Sequence, residues 1–182
     1  MRLLAMALVL AAAPLAAQPL VRLWNREITA EEARRWDEHE PLKGLAMMVE
    51  EMFEKQYLRE NGLEPSPEVF SAVRHKWQQR SGGAAGPMGE WFVQRTVRSF
   101  YLSRALWEKH GGRIMLSAFG SCVAKDALIQ EMRALERAGS LSFPGGARLR
   151  DDLYRYLREA GGDGVISGER ARKFFAKPPW EN

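Results

Sequence analysis

The chain has 182 residues, with 27 Lys and Arg against 23 Asp and Glu for a formal charge of +4 at pH 7, and nearly half of its residues are apolar. That apolar content is enough for a packed core and argues against disorder of the whole chain, while so small and dispersed a basic excess gives no nucleic-acid-binding face. Cys122 is the single cysteine, which excludes an intramolecular disulfide and leaves packing to hold the fold.

The chain opens MRLLAMALVLAAAPLAAQ. Arg2 is followed by an apolar run over residues 3–13, then Pro14, then Ala16 and Ala17, which is the order of a secretory signal peptide cleaved after Ala17. The run is too short for a membrane span, which takes roughly 20 residues. The expected organisation is therefore a signal peptide over 1–17, a first region over 18–110 and a second over 111–182, in a periplasmic or secreted protein.

After a short extended piece, Thr29 and Glu32 fit a capping box that starts a helix at Ala30 and carries it to about Glu38. Pro41 suits the first position of a second helix, in which Leu45, Met48, Val49, Met52, Phe53 and Leu58 recur at helical spacing until Asn61-Gly62 stops it. Ser66-Pro67-Glu68 starts a third helix that runs to about Arg80. The glycine-rich stretch 81–89 is a linker or loop, and a long helix over 90–110 ends at Gly111-Gly112. Beyond it, residues 113–119 read as a short strand and 122–138 as a helix with Cys122 in its first turn. Residues 140–143 read as a second extended piece, 147–160 as a helix, and Ser167 caps a final helix to about Ala176. The expected class is mainly α, with minor short strands.

Chemical motifs are scarce. His39, His75 and His110 lie far apart with no ligand spacing, so no metal site is expected. A cysteine at a helix N-terminus can favour thiolate, yet His110 is the sole base to suggest beside Cys122, and burial as a small apolar side chain is the simpler reading. Residues 159–170, EAGGDGVISGER, imitate part of a calcium loop, but Arg170 falls where a bidentate Glu is required, and the stretch reads as a Gly-rich turn into a capped helix. No nucleotide, hydrolase or metalloprotease fingerprint occurs, and neither an active site nor a cofactor is indicated. The aromatic and methionine content stands out instead: Met48, Met52, Phe53, Tyr57, Trp91, Phe100, Tyr101 and Trp107 are the candidates for a surface that holds peptide, since methionine adapts to varied apolar partners.

The stretch LWNREITAEEARRW, followed by MVEEMFEKQYLRENGL and PSPEVFSAV, resembles the N-terminal chaperone domain of SurA-like periplasmic foldases, whose pattern runs roughly V-N-G-x-x-I-T-x-x-E before a longer helix and a Ser- or Thr-led helix. Here Arg26 stands where the family carries Gly, and no parvulin domain is recognisable over 111–182. The resemblance implies a multi-helix SurA N-terminal-like domain over 18–110 that binds nonnative polypeptides or envelope-protein clients. Two other functions are expected as alternatives: a structural or assembly subunit of a cell-envelope complex, as a homo-oligomer or with a partner chain, and a peptidyl-prolyl isomerase-related foldase.

Overall fold

A computed structural model describes residues 18–82, 86–117, 121–159 and 162–181; the expected signal peptide over 1–17 lies outside the described residues. The chain begins with a hairpin of β1 (Pro19–Leu23) and β2 (Arg26–Thr29). Leu23 pairs with Arg26, so the loop is Trp24-Asn25 and Arg26 belongs to the strand rather than to the turn. Trp24 takes φ 50°, the sole positive value at a non-glycine among the described residues. A bulky side chain there is strained and persists when its surroundings dictate it. They do: the Trp24 N–H donates to the Ser140 carbonyl at 2.6 Å, and its ring stacks on Phe53 with centroids 6.0 Å apart.

Thr29 caps α1 (Ala30–Trp36) through the full capping box. Its N–H donates to the Glu32 carboxylate at 2.9 Å, and that bond is the main cause holding Glu32 below the usual carboxylate range. The helix stops two residues before the expected Glu38, because the Asp37 carboxylate takes the N–H groups of His39 and Glu40. α2 (Pro41–Glu60) then crosses α1 at Gly44, where a Cβ would lie 2.2 Å from the Ala33 carbonyl oxygen. Its inward face buries Leu45, Val49, Phe53 and Leu58.

α3 (Pro67–Ser81) and α4 (Pro87–His110) pack against each other, with Trp77 stacked on Phe92 at 5.4 Å and a bidentate Arg74–Glu90 pair at 2.8 Å. α4 starts three residues earlier than expected, since Pro87 fits its first turn. Gly111, at φ 68°, ends it.

The remainder runs β3 (Ile114–Leu116), β4 (Cys122–Val123), α5 (Lys125–Arg137), β5 (Leu141–Ser142), α6 (Ala147–Glu159), β6 (Gly164–Ile166), α7 (Gly168–Ala176) and a 3-10 turn, Pro179–Glu181. Two expectations are corrected here. Cys122 lies in a strand, not in the first turn of a helix. Ser103 of α4 donates to the Cys122 carbonyl at 2.9 Å and accepts the Ala124 N–H at 3.1 Å, and Ser99 accepts the Cys122 N–H at 3.4 Å. These hydroxyls occupy the backbone groups that a helix would use, so α5 waits until Lys125. Residues 164–166, expected as a turn, form a strand because they pair with β3, Ile114 opposite Ile166.

The strands make two small sheets, ordered β2-β1-β5 and β4-β3-β6. In the first, Leu23 sits opposite Leu141, so a strand from the second sequence region completes the N-terminal hairpin. α6 also lies against α2, and the two regions are interleaved in packing. The fold is mainly α, as expected, and no helix among the described residues is long and apolar enough to cross a membrane.

Candidate functional site

The eight aromatic and methionine candidates do not form one surface. Phe53, Tyr57, Met48 and Phe100 are buried, at 0, 8, 7 and 2 % exposure. Phe53 stacks on Tyr57 at 5.4 Å and belongs to the core beneath the hairpin. Phe100 is the centre of an aromatic knot, with Trp180 at 5.0 Å, Phe175 at 5.5 Å and Phe174 at 5.7 Å. Trp107 meets Phe175 at 5.6 Å, and Tyr101 lies edge-on to Phe100. α7 and the 3-10 turn cover that side of α4 with their own aromatic rings. Trp91 is exposed but stands apart, with Arg95 over its face.

Met48 and Met52 belong to a different arrangement. Met48, Met52, Lys55 and Arg59 recur at helical spacing on α2, giving a second stripe beside the core-facing one. The hairpin turn rises on one side of this stripe with Trp24 and Arg26, and Trp36 closes its end from the last turn of α1. Phe70 of α3 and Arg98 of α4 stand at the other end. Between them lie three adjoining open hollows of about 310, 400 and 450 Å³, all of which share Lys55. Together they form a groove along the outer face of α2 with an apolar floor and a cationic rim.

The rim cations are held to different degrees. Arg26 pairs with Glu32 at 2.6 Å and Lys55 pairs with Glu51. Arg59 reaches Glu64 only at 3.9 Å, with both side chains largely exposed, and Arg98 lies over the Phe70 ring at 5.8 Å. Sequence reasoning missed Trp24, Trp36, Arg26, Lys55, Arg59, Phe70 and Arg98 as members of a site. The signal that could have found the α2 part is the spacing of residues 48, 52, 55 and 59; the hairpin and α1 contributions depend on tertiary placement.

A second, smaller recess of about 20 Å³ lies between α2 and α4, lined by Glu50, Glu54, Arg95, Ser99, Ser103 and Cys122 among others. Burial pushes the Cys122 thiol up to about 12 and the Glu54 carboxyl up to about 8. A thiol so disposed stays protonated at neutral pH and is a poor nucleophile. His110, the base suggested for it, is bonded instead to Glu131, Nε2 to Oε2 at 2.7 Å. Among the described residues no three of His, Cys, Asp and Glu converge as a metal cage. Comparison with models of protein families, with curated proteins and with solved structures finds no match to this chain.

Proposed function

We propose that this is an exported, SurA-like polypeptide-binding protein that holds extended or nonnative segments of envelope or secreted clients, without nucleotide or metal, in the groove along α2. The observation that carries the reading is the α2 stripe: Met48 and Met52 line a trough walled by Trp24 and Trp36, adaptable apolar side chains beside rigid aromatic ones. From Met48 to Arg59 the helix advances about 16 Å, the length of about five residues of extended chain. The candidate set narrows accordingly to Met48 and Met52, joined by Trp24, Trp36 and Phe70.

A denatured client diluted into buffer tests this. Stoichiometric amounts of the protein suppress light scattering, and Met52→Asp, which places a charge on the half-buried floor, removes most of the suppression while circular dichroism stays unchanged. No suppression, together with no peptide binding, overturns the proposal. A species that stays oligomeric on dilution, with no client exchange, points instead to an envelope assembly subunit.

A further inference from the structure

We infer that the α2 groove selects extended segments in which apolar side chains alternate with carboxylates. The inference rests on the polypeptide-binding reading above and adds the chemical class of the client. In an extended chain successive side chains point to opposite faces. A segment lying along α2 therefore sends one set towards Met48, Met52 and Phe70 and the other set outward, past the rim.

What the rim offers is predominantly cationic. The middle hollow is lined by Arg26, Lys55 and Arg59 with no carboxylate among its lining residues, and the flanking hollow at Phe70 adds Arg98 against Glu64 alone. Two of these cations are weakly engaged within the chain. An exposed contact at 3.9 Å, such as Arg59 to Glu64, contributes little, so the Arg59 charge remains available to an incoming carboxylate. The Arg98 guanidinium sits on the Phe70 face at 5.8 Å, a contact that leaves its N–H edge able to donate.

The hairpin turn supports the same reading independently of charge. Trp24 is kept in a strained conformation by the Ser140 carbonyl, and that conformation presents an indole to the middle hollow directly beside Arg26 and Arg59. An apolar wall next to cations is the combination that an apolar side chain followed by an acidic one would occupy. Clients rich in Lys or Arg meet like charge at the rim and are disfavoured.

The test uses the full mature chain and three peptides of about ten residues carrying a neutral dye, in which Leu alternates with Glu, Gln or Lys, with binding read by fluorescence anisotropy. Two additional ion contacts, one at exposed Arg59 and one at half-buried Arg98, make the Glu peptide about fivefold tighter than the Gln peptide. That advantage shrinks in high salt and disappears in the Arg59→Gln/Arg98→Gln double variant. Arg59→Gln alone, at an exposed position, halves the effect and serves if the double variant fails to fold. Equal binding of the Glu and Gln peptides overturns the selectivity and leaves the polypeptide-binding reading standing. An advantage that survives in the double variant overturns the assignment to this rim. Binding to anionic phosphatidylglycerol vesicles that the Glu peptide does not compete away overturns it in favour of a lipid surface. No binding of any peptide removes the underlying reading as well.

Discussion

Replacing Glu54 by Gln should make the protein more stable at alkaline pH and nearly unchanged in mild acid. Glu54 lies between α2 and α4, and burial raises its carboxyl from an ordinary 4.5 to about 8, while Arg95 and Arg98 pull the other way. Between these two values the unfolded chain has released the proton and the folded chain still holds it. Stability therefore falls as pH rises from about 4.5 towards 8. At about 1.4 kcal/mol per pH unit the ceiling on this loss is about 5 kcal/mol. The side chain is only partly enclosed, so screening by water reduces the expected loss to about 2 kcal/mol. Gln has the same shape and cannot ionise. Urea denaturation followed by tryptophan fluorescence at pH 5, 7 and 8.5 gives the comparison: the wild type loses about 2 kcal/mol across this range relative to Glu54→Gln, with unchanged m values. Parallel pH profiles for the two proteins would refute the reasoning.

Gly44→Ala should destabilise by about 3 kcal/mol or more, because the new Cβ meets the Ala33 carbonyl oxygen at 2.2 Å and the α1–α2 crossing has to open; helix propensity alone predicts a gain of about 1 kcal/mol, so the sign of the thermal shift decides between them. At the acid end, burial acts to raise the Glu131 carboxyl, but hydrogen bonds from Lys109 and His110 outweigh it and hold it below the usual range. The stability that Glu131 contributes is thus present above about pH 4.5 and lost as pH falls through its folded value; Glu131→Gln costs about 2 kcal/mol at pH 7 and flattens the acid limb of the denaturation profile. Cys122, 1 % exposed, should react with a thiol reagent in the native protein far more slowly than in urea, and rapid native labelling contradicts its burial.

The parts of this fold legible in the sequence are those whose causes are local. Thr29 and Glu32 start α1 through bonds three residues apart, and Pro41 and Pro67 mark helix starts that the structure reproduces. The short strands are illegible for the opposite reason. β6 exists because Ile166 finds Ile114, and β4 because Cys122 and Val123 find Leu116 and Met115 while Ser99 and Ser103, unremarkable residues within a long helix, bond the backbone of Cys122. The groove behaves likewise. Its methionines were visible, but Phe53 and Phe100 looked equally suitable, and α7 and the 3-10 turn, packing from the far end of the chain, assigned Phe100 to the core while Met52 stayed at the surface.

The pairing of Leu23 with Leu141 and the bond from the Trp24 N–H to the Ser140 carbonyl also order events in time. A chain that leaves the ribosome or a membrane pore N-terminus first presents its hairpin long before the strand that completes it. Until residues 140–142 arrive, one edge of β1 is open and the backbone N–H of Trp24 lacks its acceptor, leaving Phe53 alone to hold the indole. Such distant pairing slows folding, and it leaves the groove wall unset in any partial chain. The groove along α2 is therefore complete only after residues 140–142 have been made and have folded back onto β1.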